Sequence, residues 1–491
     1  MVFSSIPFLF FFLPACLILY YLVPYKVKNY VLLAFSLIFY AWGEPVYIVL
    51  MLFASAVDYT NGLLMERFGT SAGRRKLFLC ASVVINLSML GFFKYADFLV
   101  ETVNALLHLS IKPLGLGLPV GISFFTFQTM SYSVDLYRRN VKVEKNYFTY
   151  LTYVSMFPQL IAGPIVRFST VNEELHSRHI GWNDFVQGTL RFMQGLFKKV
   201  LIANNVGALW ETIKAAQAGA ISAGSISTGS ILSGNASAGS ISIATAWLGA
   251  LCFTLQLYFD FSAYSDMAIG MGQMLGFHFP ENFLYPLSSV SVTDFWRRWH
   301  ISLSTWFRDY VYIPLGGNRA GTAKHLRNMF VVWFLTGLWH GAAWNFVLWG
   351  LYYGVLLTLE KYVWGEKLDR LPKWLRHLYA ILIVVFGFVI FVFDDMGQLG
   401  GYLSLMFGTG GNALFGTELI WYVKNYAPLL LTAVLLAFPL YPYLKKKAES
   451  LPRWGRTVLS LGAAVGYAVF FILTTAYLVN DTYNPFLYFR F

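Results

Sequence analysis

Residues 377–394 read HLYAILIVVFGFVIFVFD, and between Arg376 and Asp394 no acidic residue, lysine or arginine interrupts the run. A helix that crosses a bilayer needs roughly 20 mostly apolar residues. Comparable runs recur near 6–24, 29–43, 45–66, 77–98, 148–166, 186–213, 245–275, 328–342, 344–361, 427–444 and 457–479. Their number predicts an all-α polytopic membrane protein with about 11–12 spans. Two further stretches, 112–135 and 284–316, are apolar but broken by Gly, Pro and polar residues. Such backbone is tolerated at membrane depth only when protein or a cavity covers it, so both are expected to be re-entrant or interfacial.

Composition agrees with this reading. Of 491 residues, 57% are hydrophobic and 12% charged, against about a quarter charged in a soluble domain. Aromatics reach 19%, and Trp and Tyr favour the headgroup boundary. The net charge of +12 resides in short basic clusters between apolar runs, the pattern of cytoplasmic loops rather than of a nucleic-acid-binding surface. The run from Ile6 to Pro24 lacks a basic leader and a small-residue cleavage site, so it is expected to be retained as the first span. Cys16, Cys80 and Cys252 lie in apolar runs and are odd in number, which leaves no disulfide framework. His176 and His179 have no third ligand nearby, and no metal is expected.

Loop charges orient the chain. Residues 445–456 hold Lys445, Lys446, Lys447, Arg453 and Arg456, and 361–376 hold Lys361, Lys367, Arg370, Lys373 and Arg376. Between them, 395–425 contain only Lys424. Basic loops stay in the cytoplasm, which places 395–425 and the tail 480–491 outside. The membrane domain is expected to occupy 1–479 as one unit, with an Ala/Gly/Ser tract at 215–245 as a flexible inserted loop.

Ionisable groups inside apolar spans are costly and mark function. In FLTGLWHG at 334–341, His340 closes an apolar run beside Trp339. Imidazole titrates near neutrality and suits general-base work, although the residues alone fit a structural histidine equally well. The block QLYFDFSAYSD at 256–266 carries Asp260 and Asp266 off a common helical face, which points to a paired or helix-breaking structural role rather than a catalytic dyad. In DFWRRWH at 294–300, Arg297 and Arg298 have the chemistry to bind phosphate, and His300 is a second active-site candidate. An interfacial helix anchored by Trp and solvated Arg is the competing reading. The tail NPFLYFRF at 484–491 gathers aromatics around Tyr488, a pattern that alone fits an interfacial anchor.

Taken in order, six stretches resemble the alginate O-acetyltransferase branch of the membrane-bound O-acyltransferase (MBOAT) family. They are Met1 to Tyr40, PVGISF at 119–124, AGPIVRF at 162–168, Gln256 to Gly276, Phe295 to Asn318, and LWHG at 338–341. The resemblance implies a helical bundle around a transmembrane tunnel and acyl transfer from a cytoplasmic donor to an extracytoplasmic acceptor. It implies His340 as the reactive group, His300 at the family's second His or Asn position, and Arg297, Arg298 and Trp339 beside the donor. Acetyl-CoA is the expected donor and a polysaccharide the final acceptor. A separate extracytoplasmic Ser-His-Asp (SGNH) hydrolase-like acetyltransferase is the expected partner. The tail is similar to small membrane peptides of teichoic acid D-alanylation, which implies Tyr488 as an acyl carrier and favours a cell-wall system of the Gram-positive type. Two other functions stay open at this point. One is D-alanyl transfer from a carrier protein to a teichoic-acid-type polymer. The other is a polysaccharide exporter without covalent chemistry, although the paired interrupted repeats of a transporter are not evident.

Overall fold

The computed structural model describes residues 2–161, 163–217, 241–319, 321–409, 411–480 and 486–487. Helices dominate, and no strand occurs among the described residues. Six are long and apolar enough to cross a membrane: Ile48–Arg67, Ala72–Leu107, Ile243–Met274, Lys373–Val392, Thr417–Ala437 and Arg453–Asn480. The protein is thus a multi-pass helical membrane protein. Most of the Ala/Gly/Ser tract, 218–240, and most of the tail, including Tyr488, lie outside the described residues.

Ile243–Met274 is the central helix, buried along nearly all its length. Trp182–Phe197, the π-turn Lys198–Ala203, Asn204–Gln217 and Lys373–Val392 pack around it. Small residues make this possible, since without a hydrophobic drive between helices in lipid, close backbone approach supplies the contact energy. A Cβ on Gly188 would run into the carbonyl of Gly270, and one on Gly270 into the carbonyl of Gly188. At the periphery, Arg453–Asn480 buries only Gly455, Thr474 and Leu478. It leans on Trp182–Phe197 through a 2.6 Å bond from Gln194 Nε2 to the Tyr467 hydroxyl.

Several expected spans are built differently. The run 148–166 is not one span but two short helices, Tyr147–Ser155 and Phe157–Leu160, separated at Met156 and followed by extended chain. Pro158 and Pro164 prevent continuous winding, and the helical residues from Thr149 onward are buried in protein. A segment apolar on all sides is either a span or a core helix, and here it is core. The run 186–213 is continuously helical but passes through the π-turn Lys198–Ala203. Within 112–135, irregular chain leads into the helix Ile122–Tyr137, buried on nearly every face. Residues 284–316 form short helices Val292–Arg298 and Ile301–Phe307 and a π-turn Arg308–Tyr312.

Buried polar groups fasten these elements. Asp58 accepts from Ser82, from Asn86 Nδ2 at 2.8 Å and from Ser133 Oγ at 3.1 Å, joining three helices. Asp260 and Asp266 take separate cations: Lys199 at 2.5 Å for the first, Arg191 and Lys198 at 2.6 Å each for the second. Because Gly270 faces a backbone carbonyl, Gly270→Leu is expected to cost about 1–3 kcal/mol by overpacking. The check is a lowered Tm of the purified protein in detergent micelles.

Candidate active site

The helix Thr322–His340 ends on its histidine, and Gly341 continues in extended backbone. The last carbonyls of a helix lack intrahelical partners, and this end is buried. Neighbouring side chains complete it. Tyr95 donates its hydroxyl to the Leu338 carbonyl at 2.6 Å, and Lys94 donates Nζ to the Trp339 carbonyl at 2.5 Å. Lys94 also reaches Ser123 Oγ at 3.3 Å. An ammonium at a helix C-terminus meets the negative end of the helix dipole.

His340 itself is buried, with Nδ1 2.7 Å from the carbonyl oxygen of Thr336. A carbonyl only accepts, so Nδ1 carries the proton and the basic lone pair of the neutral ring is on Nε2. The ring packs against Trp349 at 4.8 Å, Trp339 at 5.1 Å and Phe391 at 5.5 Å between centroids.

His300 comes from the other side. It links Val292–Arg298 to Ile301–Phe307 in a left-handed conformation (φ 45°), unusual for a non-glycine residue. Asn282 holds this turn: its Oδ1 lies 3.1 Å from His300 Nδ1 and accepts from Ser302 N and Oγ at 3.2 and 2.9 Å. The His300 ring stands edge-on to Phe261 at 4.7 Å and lies 5.8 Å from Trp339. Both imidazoles therefore meet the same indole.

A cavity of about 250 Å³ opens on the His300 side, lined by Arg297, His300, Ser304, Trp333 and Thr336 among others but not by His340 or Trp339. Thr336 is the residue whose carbonyl holds His340. Arg297 is exposed and has no carboxylate partner among the described residues. Arg298 does not line the cavity and pairs with Asp294 at 2.8 Å. The helix bearing both arginines and the residues just before it are tied to Glu360 and His377, which flank the basic segment 361–376. Glu360 accepts from Val292 N and Thr293 N at 2.8 Å each, and His377 Nδ1 lies 3.0 Å from the Ser289 carbonyl. His176 pairs with Glu144 at 2.8 Å, and no group of three metal-ligating side chains occurs among the described residues.

The structure thus brings His340 and His300 to Trp339, sets Arg297 with His300 at the cavity, and turns Arg298 to Asp294. Lys94, Tyr95 and Asn282 escaped the reading of the sequence. For Lys94 the signal was present, because it is a lone cation within the apolar run 77–98.

The chain belongs to the membrane-bound O-acyltransferase family, a class of membrane-embedded acyl-transfer enzymes. The family model, MBOAT, matches residues 46–394, which include every site residue described above. Transfer to hydroxyl groups by such an enzyme requires an acyl donor. Over the full length of both chains, this one is 37% identical to the probable alginate O-acetylase AlgI of Azotobacter vinelandii. It is 32% identical to the peptidoglycan O-acetyltransferase of Helicobacter pylori, over 84% of this chain and 81% of that one. Similarity to the teichoic acid D-alanyltransferase of Bacillus subtilis, at 36% identity, covers only 28% of this chain and 39% of the relative. The full-length match includes the tail, so the tail does not separate this chain from the alginate branch or favour a Gram-positive system.

Lys94→Met keeps the length of the side chain but removes the charge that holds the Trp339 carbonyl. We expect normal accumulation in membranes and acyl transfer reduced about ten-fold or more, equivalent to roughly 1.4 kcal/mol in the barrier. Quantifying ester-linked acyl groups per unit of membrane protein checks this.

Proposed function

We propose that this chain is a membrane O-acetyltransferase that takes acetyl from acetyl-CoA in the cytoplasm and serves the O-acetylation of an extracytoplasmic polysaccharide. The observation that carries the reading is the 2.7 Å contact of His340 Nδ1 with the Thr336 carbonyl, which calls for a proton on Nδ1 and so directs the buried imidazole to act as a base through Nε2. The acceptor hydroxyl gives its proton to Nε2 as its oxygen attacks the thioester carbonyl. The tetrahedral intermediate then collapses, the carbon–sulfur bond breaks, and the leaving thiolate recovers the proton from the imidazolium. Trp339 and His300 shape the wall around the reacting carbonyl, and Arg297 at the cavity is suited to donor phosphates. Arg298, paired with Asp294, contributes at most through the shared field of the two guanidinium groups.

Entry from the cytoplasm is supported by the ties between the arginine helix and the residues that flank the basic segment 361–376, because basic loops stay inside. By the same rule, the helix Arg453–Asn480 begins inside at Arg453 and Arg456 and delivers the tail outside. Acetyl is proposed to pass to the Tyr488 phenol, and a phenol is a weak acid that calls for a base. An extracytoplasmic SGNH-type acetyltransferase partner would then move it to the polysaccharide. The alginate and peptidoglycan O-acetylating relatives support acetyl over D-alanyl as the group transferred.

His340→Ala is expected to insert normally and to abolish polysaccharide acetylation in cells, and wild-type acetylation in a normally expressing strain would refute the assignment. Radiolabelled acetyl-CoA supplied to the cytoplasmic face of inverted vesicles should label the protein, and Tyr488→Phe should remove that label. Labelling that demands an acylated carrier protein would point instead to D-alanyl transfer.

A further inference from the structure

The buried ion pair on the central helix has a second occupant. Asp260 offers Oδ1 to Lys199 Nζ at 2.5 Å, and its other oxygen, Oδ2, accepts the backbone N–H of Leu487 at 2.7 Å. Lys199 Nζ lies 4.6 Å from the centroid of the Phe486 ring, which is fully buried and meets Tyr264 edge-on at 4.8 Å. Tyr264 is backed in turn by Phe3, stacked at 4.6 Å. A chain that leaves the end of Arg453–Asn480 therefore returns to the bundle within a few residues and seats an aromatic and an amide on a buried pair.

We propose that Asp260, Lys199 and Tyr264 form a docking seat for the chain's own C-terminal segment, and that Asp260 and Lys199 are positioning residues for the tail. The inference rests on the proposed carrier role of Tyr488 for its purpose, but not for the docking itself. Each contact has a separate task. The carboxylate binds a backbone donor, which any sequence would supply, so it gives strength without register. The aromatic slot between Lys199 and Tyr264 supplies register, since cation–π and edge-to-face contacts require a ring at one position. Seating Phe486 thereby fixes the start of the segment that continues into Tyr488. The ion pair is a costly way to join two helices, because desolvating both charges offsets much of their attraction. A third group that uses the remaining carboxylate oxygen gives that arrangement a function.

The test reads docking directly rather than acyl transfer. Leu487→Cys is made in the full chain with exposed Cys80 replaced by Ser, and its reaction with a maleimide is timed. Adding Asp260→Asn or Phe486→Ala should accelerate labelling by roughly ten-fold or more, as expected for loss of a charge-assisted hydrogen bond or a buried ring. Phe486→Ala leaves the ion pair intact and decides the matter should Asp260→Asn fail to accumulate. The exchange Asp260→Lys with Lys199→Asp separates seat from strut. If the pair is a seat, accumulation returns while labelling stays fast, because the carboxylate has moved away from Leu487. Slow labelling in the exchanged protein, or unchanged labelling in Phe486→Ala, would overturn the proposal. Fast labelling in Phe486→Ala with acyl transfer intact would retain the seat and refute the carrier reading alone.

Discussion

A helix that stops inside an apolar bundle must find donors for its last carbonyls, since each one left bare costs several kcal/mol where water cannot reach. Thr322–His340 stops in this way, and the surrounding site follows from how that requirement is met. Tyr95 and Lys94, consecutive on Ala72–Leu107, each take one carbonyl. The helix Ile122–Tyr137 must then lie close enough for Ser123 to meet the same ammonium. His340 uses one nitrogen on Thr336 within its own helix. The His340 ring is therefore positioned by backbone satisfaction as much as by packing.

His300 is positioned on the same principle through a different device. Its turn cannot be part of a regular helix, and Asn282 substitutes one amide oxygen for the backbone partners that the turn lacks. In both histidines a ring nitrogen is committed to a fixed oxygen, which sets ring orientation before any substrate arrives. Trp339 then acts as the common surface between them. Ionisable groups elsewhere in the interior are satisfied in two ways: Asp260 pairs with Lys199, whereas Asp58 is held by the neutral donors Ser82, Asn86 and Ser133. Lys94 is satisfied by a helix terminus rather than by a carboxylate.

Much of this was legible in the sequence. Low charge content and repeated apolar runs predicted a polytopic helical protein. Of the polar groups singled out in the apolar runs, His340 and His300 both lie against Trp339, and Arg297 lines the cavity beside His300. What could not be read was which apolar runs face lipid. The run 148–166 and the helix Ile122–Tyr137 are enclosed by other helices, and hydropathy does not distinguish a protein neighbour from an acyl chain. Hydrogen-bond clamps such as Asn282 to Ser302 were equally invisible, because each joins residues far apart in sequence through a side chain that is common on surfaces.

The π-turn at Lys198–Ala203 makes the chain length there matter to a single residue. It widens the winding so that two successive lysines reach separate carboxylates on one helix, Lys198 to Asp266 and Lys199 to Asp260. Deleting one residue together with the widened turn would restore regular winding and leave the helix beyond near its present phase. Gly207 would still lie against Gln256, and the loss would fall on the two lysines alone, which regular winding would no longer spread over both carboxylates. The extra residue thus serves the ion pairs locally, although no reacting group is within it.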